Sequence, residues 1–181
     1  MTAPVLARAF GLLALGALSA MLLARGLTPS GGGVLGFLHL VDLPFHEAGH
    51  VIFAIFGSFL GMLGGSLNQI LVPAVCTGAF LYRRQWAAAA VTLFWTGQNV
   101  IDVAIYAADG RDMKLPLLAE GLTHDWNWIL SELSLRDQAE PIGRAIFALG
   151  VLVLLAALAV LALDLARVAT AADSDRVLSS D

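Results

Sequence analysis

Apolar residues fill long stretches of this chain, and polar residues gather at a few points between them. The first apolar stretch covers residues 5–25, and Thr28-Pro29-Ser30-Gly31-Gly32-Gly33 ends it with loop chemistry. The second covers 34–63 and contains Asp42, Pro44 and a short run of histidine and glutamate. Gly64-Gly65 divides it from the third, 66–82. Arg83-Arg84-Gln85 makes a polar turn, and the fourth covers 86–108, opening on Trp86 as an interfacial anchor does. Residues 109–141 are polar and punctuated by Gly110, Pro116 and Gly121. Within them, Asp125 to Arg136 carries Trp126, Trp128, Ile129, Leu130 and Leu133, the pattern of a short amphipathic helix lying on a membrane surface. The last apolar stretch covers 143–168, and 169–181 is a polar tail expected to lack order.

Stretches of this kind are long enough to cross ~30 Å of hydrocarbon as helices. The pattern predicts an all-α, polytopic transmembrane bundle of about five spans, forming one integral membrane domain over residues 1–181. The second stretch allows two readings. One helix starts near Val34 and kinks at Pro44, or a new helix opens with Pro44 in its first turn. The first stretch follows Arg8 and ends near Ala-Leu-Ser-Ala, as a secretory signal would. Its length favours a retained helix.

Composition supports the membrane reading. The chain is 59% hydrophobic and 13% charged, with a mean hydropathy of +0.81. A soluble domain carries about 25% charged residues. The net charge of -4 and the absence of a basic patch exclude nucleic acid as a partner. The partners expected are the lipid bilayer and a membrane-adjacent peptide. Cys76 stands alone, which excludes an intrachain disulfide. Lys and Arg divide almost evenly between the two sides, so the positive-inside rule leaves the orientation open.

His46-Glu47-Ala48-Gly49-His50 carries the chemistry. On a helix, positions i and i+4 share a face, so both imidazoles can reach one zinc ion (Zn²⁺). Glu47 lies beside them, placed to take a proton from water as a general base; zinc makes hydroxide available near pH ~7. Glu and His within an apolar stretch are costly and turn toward a bundle interior or a water-filled cavity. His39 lies seven residues before His46 and is read as an interfacial residue.

Catalytic zinc takes three protein ligands, so a third is required downstream. Gln98, Asn99, Asp102 and Asp109 fall near one face of the fourth stretch. Counted at ~1.5 Å per residue, the His-Glu run lies ~18–24 Å along its helix, Asp102 ~24 Å along its own, and Asp109 ~10 Å further. Depth therefore favours Asp102. His124 is a loop candidate, with Asp125 beside it as a helix cap.

These residues resemble the site-2-protease-like, M50-type membrane metallopeptidases. The shared features are the HEAGH run in an apolar span, one intervening helix, then Asn99 and the pair Asp109-Gly110. The resemblance implies that Asp109 is the third zinc ligand, against the depth argument. The prolines that family carries between the Asn and the Asp-Gly pair are missing here, as is a PDZ-like domain. The chain is also similar to a set of bacterial membrane proteins that combine HEAGH, Gly64-Gly65-Ser66 with Gln69, Tyr106 to Asp109, and His124-Asp125-Trp126. That likeness covers roughly residues 40–130 and implies that His124 and Asp125 belong to the site.

The expected function is an intramembrane zinc endopeptidase, a metalloprotease of a bacterial inner membrane. His46 and His50 hold zinc with one of Asp109, Asp102 or His124. Glu47 is the catalytic base, and Asn99, Gln98 and Asp125 form a surrounding shell. The alternatives are a membrane metal-ion carrier and a proteolytically inactive M50-like scaffold.

Overall fold

The computed structural model describes residues 2–29, 32–117 and 121–178. Ser30 and Gly31 of the first expected loop lie outside them, as do residues 118–120 of the polar segment and 179–181 of the tail. Helix α1 spans Ala3–Arg25, α2 Gly33–Phe53, α3 Ser58–Tyr82, α4 Trp86–Ala108, α5 Asp125–Glu132 and α6 Ala139–Leu178. Single 3₁₀ turns at Ala54–Phe56 and Arg136–Gln138 join α2 to α3 and α5 to α6. No strand occurs among the described residues. The all-α bundle expected from the pattern is therefore the observed architecture.

Four helices, α1, α3, α4 and α6, are long and apolar enough to cross a membrane. Their outward faces suit lipid: Phe10, Leu13, Val75 and Leu152 are all exposed. The expected fifth span, α2, is not among the four, because His39, Asp42, His46, Glu47 and His50 interrupt its apolar character.

The boundary expected at Gly64-Gly65 lies instead at Ala54–Gly57, so residues 34–63 do not form one span. Gly57 has φ of 103°, the left-handed backbone that reverses the chain there. Gly64 and Gly65 sit in the middle of α3, against α2. Helix α2 runs unbroken through Pro44, so His39 and His46 belong to one helix. The apolar side of the segment at Asp125 packs against the other helices. Trp126, Ile129 and Leu130 of α5 are buried, with Trp126 and Leu130 packed among Val103, Ala107 and Ala139. The Trp126 indole also donates to Ser66 Oγ at 3.0 Å, tying α5 to α3. The last span starts at 139 rather than 143, and helix continues to Leu178 through most of the expected tail, where alanine keeps helix propensity high.

Helix α4 is central, with 67% of its span buried, against 22–28% in the other three. It packs most extensively on α6, and α1 packs against both. Ala90, Phe94, Ile101 and Ile105 of α4 meet Leu154, Ala157 and Leu161 of α6 in the main core, joined by Leu15 and Leu22 of α1. Arg8 Nε donates to the buried Asp164 Oδ2 at 2.5 Å, pairing the charges that α1 and α6 carry into this interface. Helix α3 packs on the other side of α4 and carries α2.

The α4–α6 approach depends on Gly150. A Cβ there would lie 2.6 Å from Ile101 Cγ1 and 3.1 Å from the Ile101 amide nitrogen, which cannot give way. Gly16 of α1 has open space around it. Gly150→Ala is expected to destabilise the bundle by about 1–3 kcal/mol, the usual cost of overpacking. Gly16→Ala is expected to be neutral or slightly stabilising, since alanine is the better helix former. Thermal unfolding of both variants in one detergent checks the difference.

Candidate metal centre

The His-Glu run sits where α2 crosses α3. Gly49, Gly64 and Gly65 meet at the crossing. A Cβ on Gly49 would overlap the Gly64 carbonyl, so the backbones approach as closely as glycine permits. A Cβ on Gly65 would lie 2.6 Å from His46 Nε2 and 2.7 Å from His50 Nε2. Gly65 thus leaves open the space into which both ring nitrogens point. Asn68 Nδ2 of α3 donates to the Phe45 carbonyl at 2.7 Å, bracing α2 just before the histidines.

The ring hydrogens are already committed. His50 Nδ1 lies 2.9 Å from the Gly61 carbonyl, which can only accept. His50 therefore carries a hydrogen on Nδ1, and in its neutral form presents a lone pair at Nε2. His46 Nδ1 donates likewise to Gln69 Oε1 at 2.7 Å. Metal-ligating histidines have this arrangement, one nitrogen fixed by an outer partner and the other free.

A carboxylate completes the set. Asp125 Oδ2 lies 2.8 Å from His46 Nε2 and 3.3 Å from His50 Nε2. One donor atom from each of the three residues lies within 4.8 Å of the others. With both rings neutral, the two Nε2 lone pairs and the carboxylate face one another and repel unless a proton or a metal cation lies among them. Two imidazoles and a carboxylate form a donor set that fits a metal ion. The group His46, His50 and Asp125 can hold one.

Asp125 owes its position to a knot at the end of α4. Asp109 accepts the backbone N–H groups of Lys114 and Leu115, both at 2.9 Å, and the His124 Nε2–H at 3.1 Å. His124 is the N-cap of α5, its Nδ1 accepting the Asn127 amide at 3.2 Å. Asn127 Nδ2 donates to the Gly110 carbonyl at 2.7 Å. The Asp125 amide donates to the Tyr106 hydroxyl at 3.1 Å, leaving that hydroxyl its own hydrogen to donate. The first residue of α5 is thereby held over the two histidines.

The three positions expected to supply the third ligand are engaged elsewhere, and Asp125, expected in the surrounding shell, takes the place beside the histidines. Asp102 bonds His39 Nδ1 at 2.7 Å. The depth argument took α2 and α4 to run parallel and matched positions by depth alone, whereas His46 and His50 face α3 and α5. Asp109 is saturated by the loop it closes. Both His124 nitrogens are used by the cap and by Asp109. Asn99 and Gln98 are buried near Asp42 instead, Asn99 Nδ2 donating to Asp42 Oδ1 at 3.1 Å. Glu47 is exposed toward a cavity of about 660 Å³ that His46, His50, Asp125 and Tyr106 also line. Gln69 and Tyr106 were present in the motifs, but nothing in spacing assigned them a bond.

No protein-family model matches the chain, and neither does any curated protein or solved structure. The metal centre therefore stands on its own geometry.

Metal content of the purified protein checks the assignment. His46→Ala, His50→Ala and Asp125→Ala are each expected to lose the bound ion. Asp102→Ala is expected to keep it. Gln69→Leu removes only the outer partner and is expected to weaken metal affinity by about 10–100-fold.

Proposed function

We propose that this protein is an intramembrane zinc metallopeptidase of the M50-like type, residing in a bacterial inner membrane and hydrolysing a peptide bond in or beside the bilayer. The observation that carries the reading is the convergence of His46 Nε2, His50 Nε2 and Asp125 Oδ2 on one wall of a cavity that Glu47 also lines. The membrane-spanning character of the surrounding helices supports a substrate that reaches the site from the lipid.

His46, His50 and Asp125 would hold zinc, and their number leaves a position open to substrate and water. When bound, the ion supplies Lewis acidity and makes hydroxide accessible near neutral pH. Glu47 takes the proton from the attacking water and delivers it to the leaving amine. The Tyr106 hydroxyl, anchored by the Asp125 amide, donates its free hydrogen toward the carbonyl oxygen of the scissile bond. Gln69 and the Gly61 carbonyl fix the two imidazole orientations, so the ligands need no rearrangement on binding. The apolar wall formed by Leu43, Met62, Val103 and Ile105 excludes bulk water and receives side chains of an apolar segment.

A metal-ion carrier is the second reading. Its support is a second polar level in the same cavity, formed by His39, Asp42 and Asp102 one to two helical turns from His46.

Glu47→Gln separates the two. The substitution keeps the shape and removes the base, so peptide cleavage in proteoliposomes is expected to fall by about 10²–10⁴-fold while zinc content stays at the wild-type level. Unchanged cleavage in a variant that retains zinc would sink the proposed role of Glu47. Zinc flux that survives the substitution, with no cleavage by the wild type, would favour the carrier.

A further inference from the structure

The polar cluster beyond the metal centre contains an unusual pair. Asp42 of α2 is 1% exposed and Asn99 of α4 is 0% exposed. Asp42 Oδ1 accepts two hydrogen bonds, from Trp95 Nε1 at 2.7 Å and from Asn99 Nδ2 at 3.1 Å. Asp42 Oδ2 accepts none, and Asn99 Oδ1 likewise has no partner. A buried carboxylate spreads its charge over both oxygens and draws donors to each. Here one oxygen behaves as a carbonyl and the other as a hydroxyl. The two unsatisfied acceptors belong to side chains already joined by the Asn99 Nδ2–Asp42 Oδ1 bond, and a buried acceptor without a donor is costly.

We propose that Asp42 and Asn99 form a buried proton site, in which Asp42 is a neutral carboxylic acid at neutral pH. Its Oδ2–H donates to Asn99 Oδ1, while Asn99 Nδ2–H donates to Asp42 Oδ1. The two bonds close the ring that acids and amides form with each other. One proton satisfies both orphaned acceptors. This assignment is independent of the hydrolytic reading.

The surroundings favour a proton over a charge. Helix α3, packed against α2, has no charged residue. Asp102 on α4 acts on Asp42 electrostatically, so a second carboxylate there would be repelled. Of the positive groups nearby, His39 is bonded to Asp102 at 2.7 Å, and Arg25 of α1 acts electrostatically on Asp102 and gives Asp42 no hydrogen bond. His46, one turn further along α2, is turned to Gln69 and Asp125. The ring also has a mechanical consequence. Together with the His39–Asp102 bond and the Phe45–Trp95 ring pair, the Asp42–Asn99 and Asp42–Trp95 bonds fasten the helix that carries His46 and His50 to the central helix. Removing the proton would set Asp42 Oδ2 against Asn99 Oδ1 and Asp102 and loosen that join. The site therefore makes the α2–α4 join sensitive to pH, tight when protonated and weaker above the pH at which Asp42 ionises.

Infrared spectroscopy of the full-length protein in lipid tests this. The wild type is expected to show the carbonyl stretch of a protonated carboxylic acid at neutral pH. The band should shift with isotopically labelled aspartate and be missing in Asp42→Asn. In that variant an amide N–H takes the place of the acid O–H. It is expected to melt no lower than the wild type at neutral pH and to lose the wild type's fall in melting temperature at alkaline pH. Asp42→Leu, which cannot close the ring, is expected to melt lower. Absence of an aspartate acid band in the labelled wild type would overturn the proposal, even if no variant folded. So would a sodium-dependent rise in melting temperature that Asp42→Asn abolishes, since it would make Asp42 a carboxylate holding a metal cation.

Discussion

Two imidazole nitrogens and one carboxylate oxygen point their lone pairs into a single small space, and much of the structure serves to let them do so. The requirement is steric before it is chemical. Any side chain at position 65 would occupy the space in front of both Nε2 atoms, and any side chain at 49 would push α3 away from α2. Three glycines at one crossing bring the backbones together, and only then can the Gly61 carbonyl and Gln69 reach across from α3 to take the Nδ1 hydrogens. The same contacts that pack the helices thus decide which nitrogen of each ring is free. Among mostly apolar surroundings such convergence favours a cation, a proton or a metal ion, among the three.

Polar groups elsewhere in the bundle obey the same rule by pairing. Arg8 and Asp164 neutralise each other between α1 and α6. His39 and Asp102 do so between α2 and α4. Asp42 is matched through hydrogen bonds rather than through an opposite charge. Each pair lies between two helices that the apolar pattern alone would leave free to slide, since lipid is as apolar as the side chains it would replace. The polar contacts therefore set register, while the close approach of α4 and α6 at Gly150 supplies packing.

The sequence carried the helix content and the outer helices well. Residues 5–25 and 86–108 coincide closely with α1 and α4, because membrane helices are written as continuous apolar runs. It misplaced the α2–α3 boundary because glycine has two uses. Gly57 reverses the chain, whereas Gly64-Gly65 allow contact in mid-helix, and composition does not distinguish them. The amphipathic pattern of α5 was legible, but not what its apolar face would cover. Of the candidate site, His46, Glu47 and His50 follow from a local spacing of four residues, which a helix converts directly into a shared face. The third ligand is a long-range property. It depends on where the chain returns after the 14 residues between Asp109 and His124, and no periodicity encodes that return.

Asp125 also shows why the downstream acidic residues were hard to rank. Asp102 and Asp125 line one cavity, Asp109 caps the end of α4, and all three sit beside a histidine. What separates them is the number of donors already spent on each. Asp109 meets two backbone amides and an imidazole N–H, which leaves little basicity for a metal. Asp102 meets one imidazole, that of His39. Asp125 meets two, and each of those rings has its Nδ1 engaged by another partner, which leaves both Nε2 atoms turned to the carboxylate. A carboxylate whose neighbours are already bonded donors is a structural brace; one facing two Nε2 atoms of neutral rings can share a cation with them. By that criterion the Asp109–His124 bond and the Asp125 contacts are two parts of one device, the first fixing the loop so that the second can place its oxygen at the metal position.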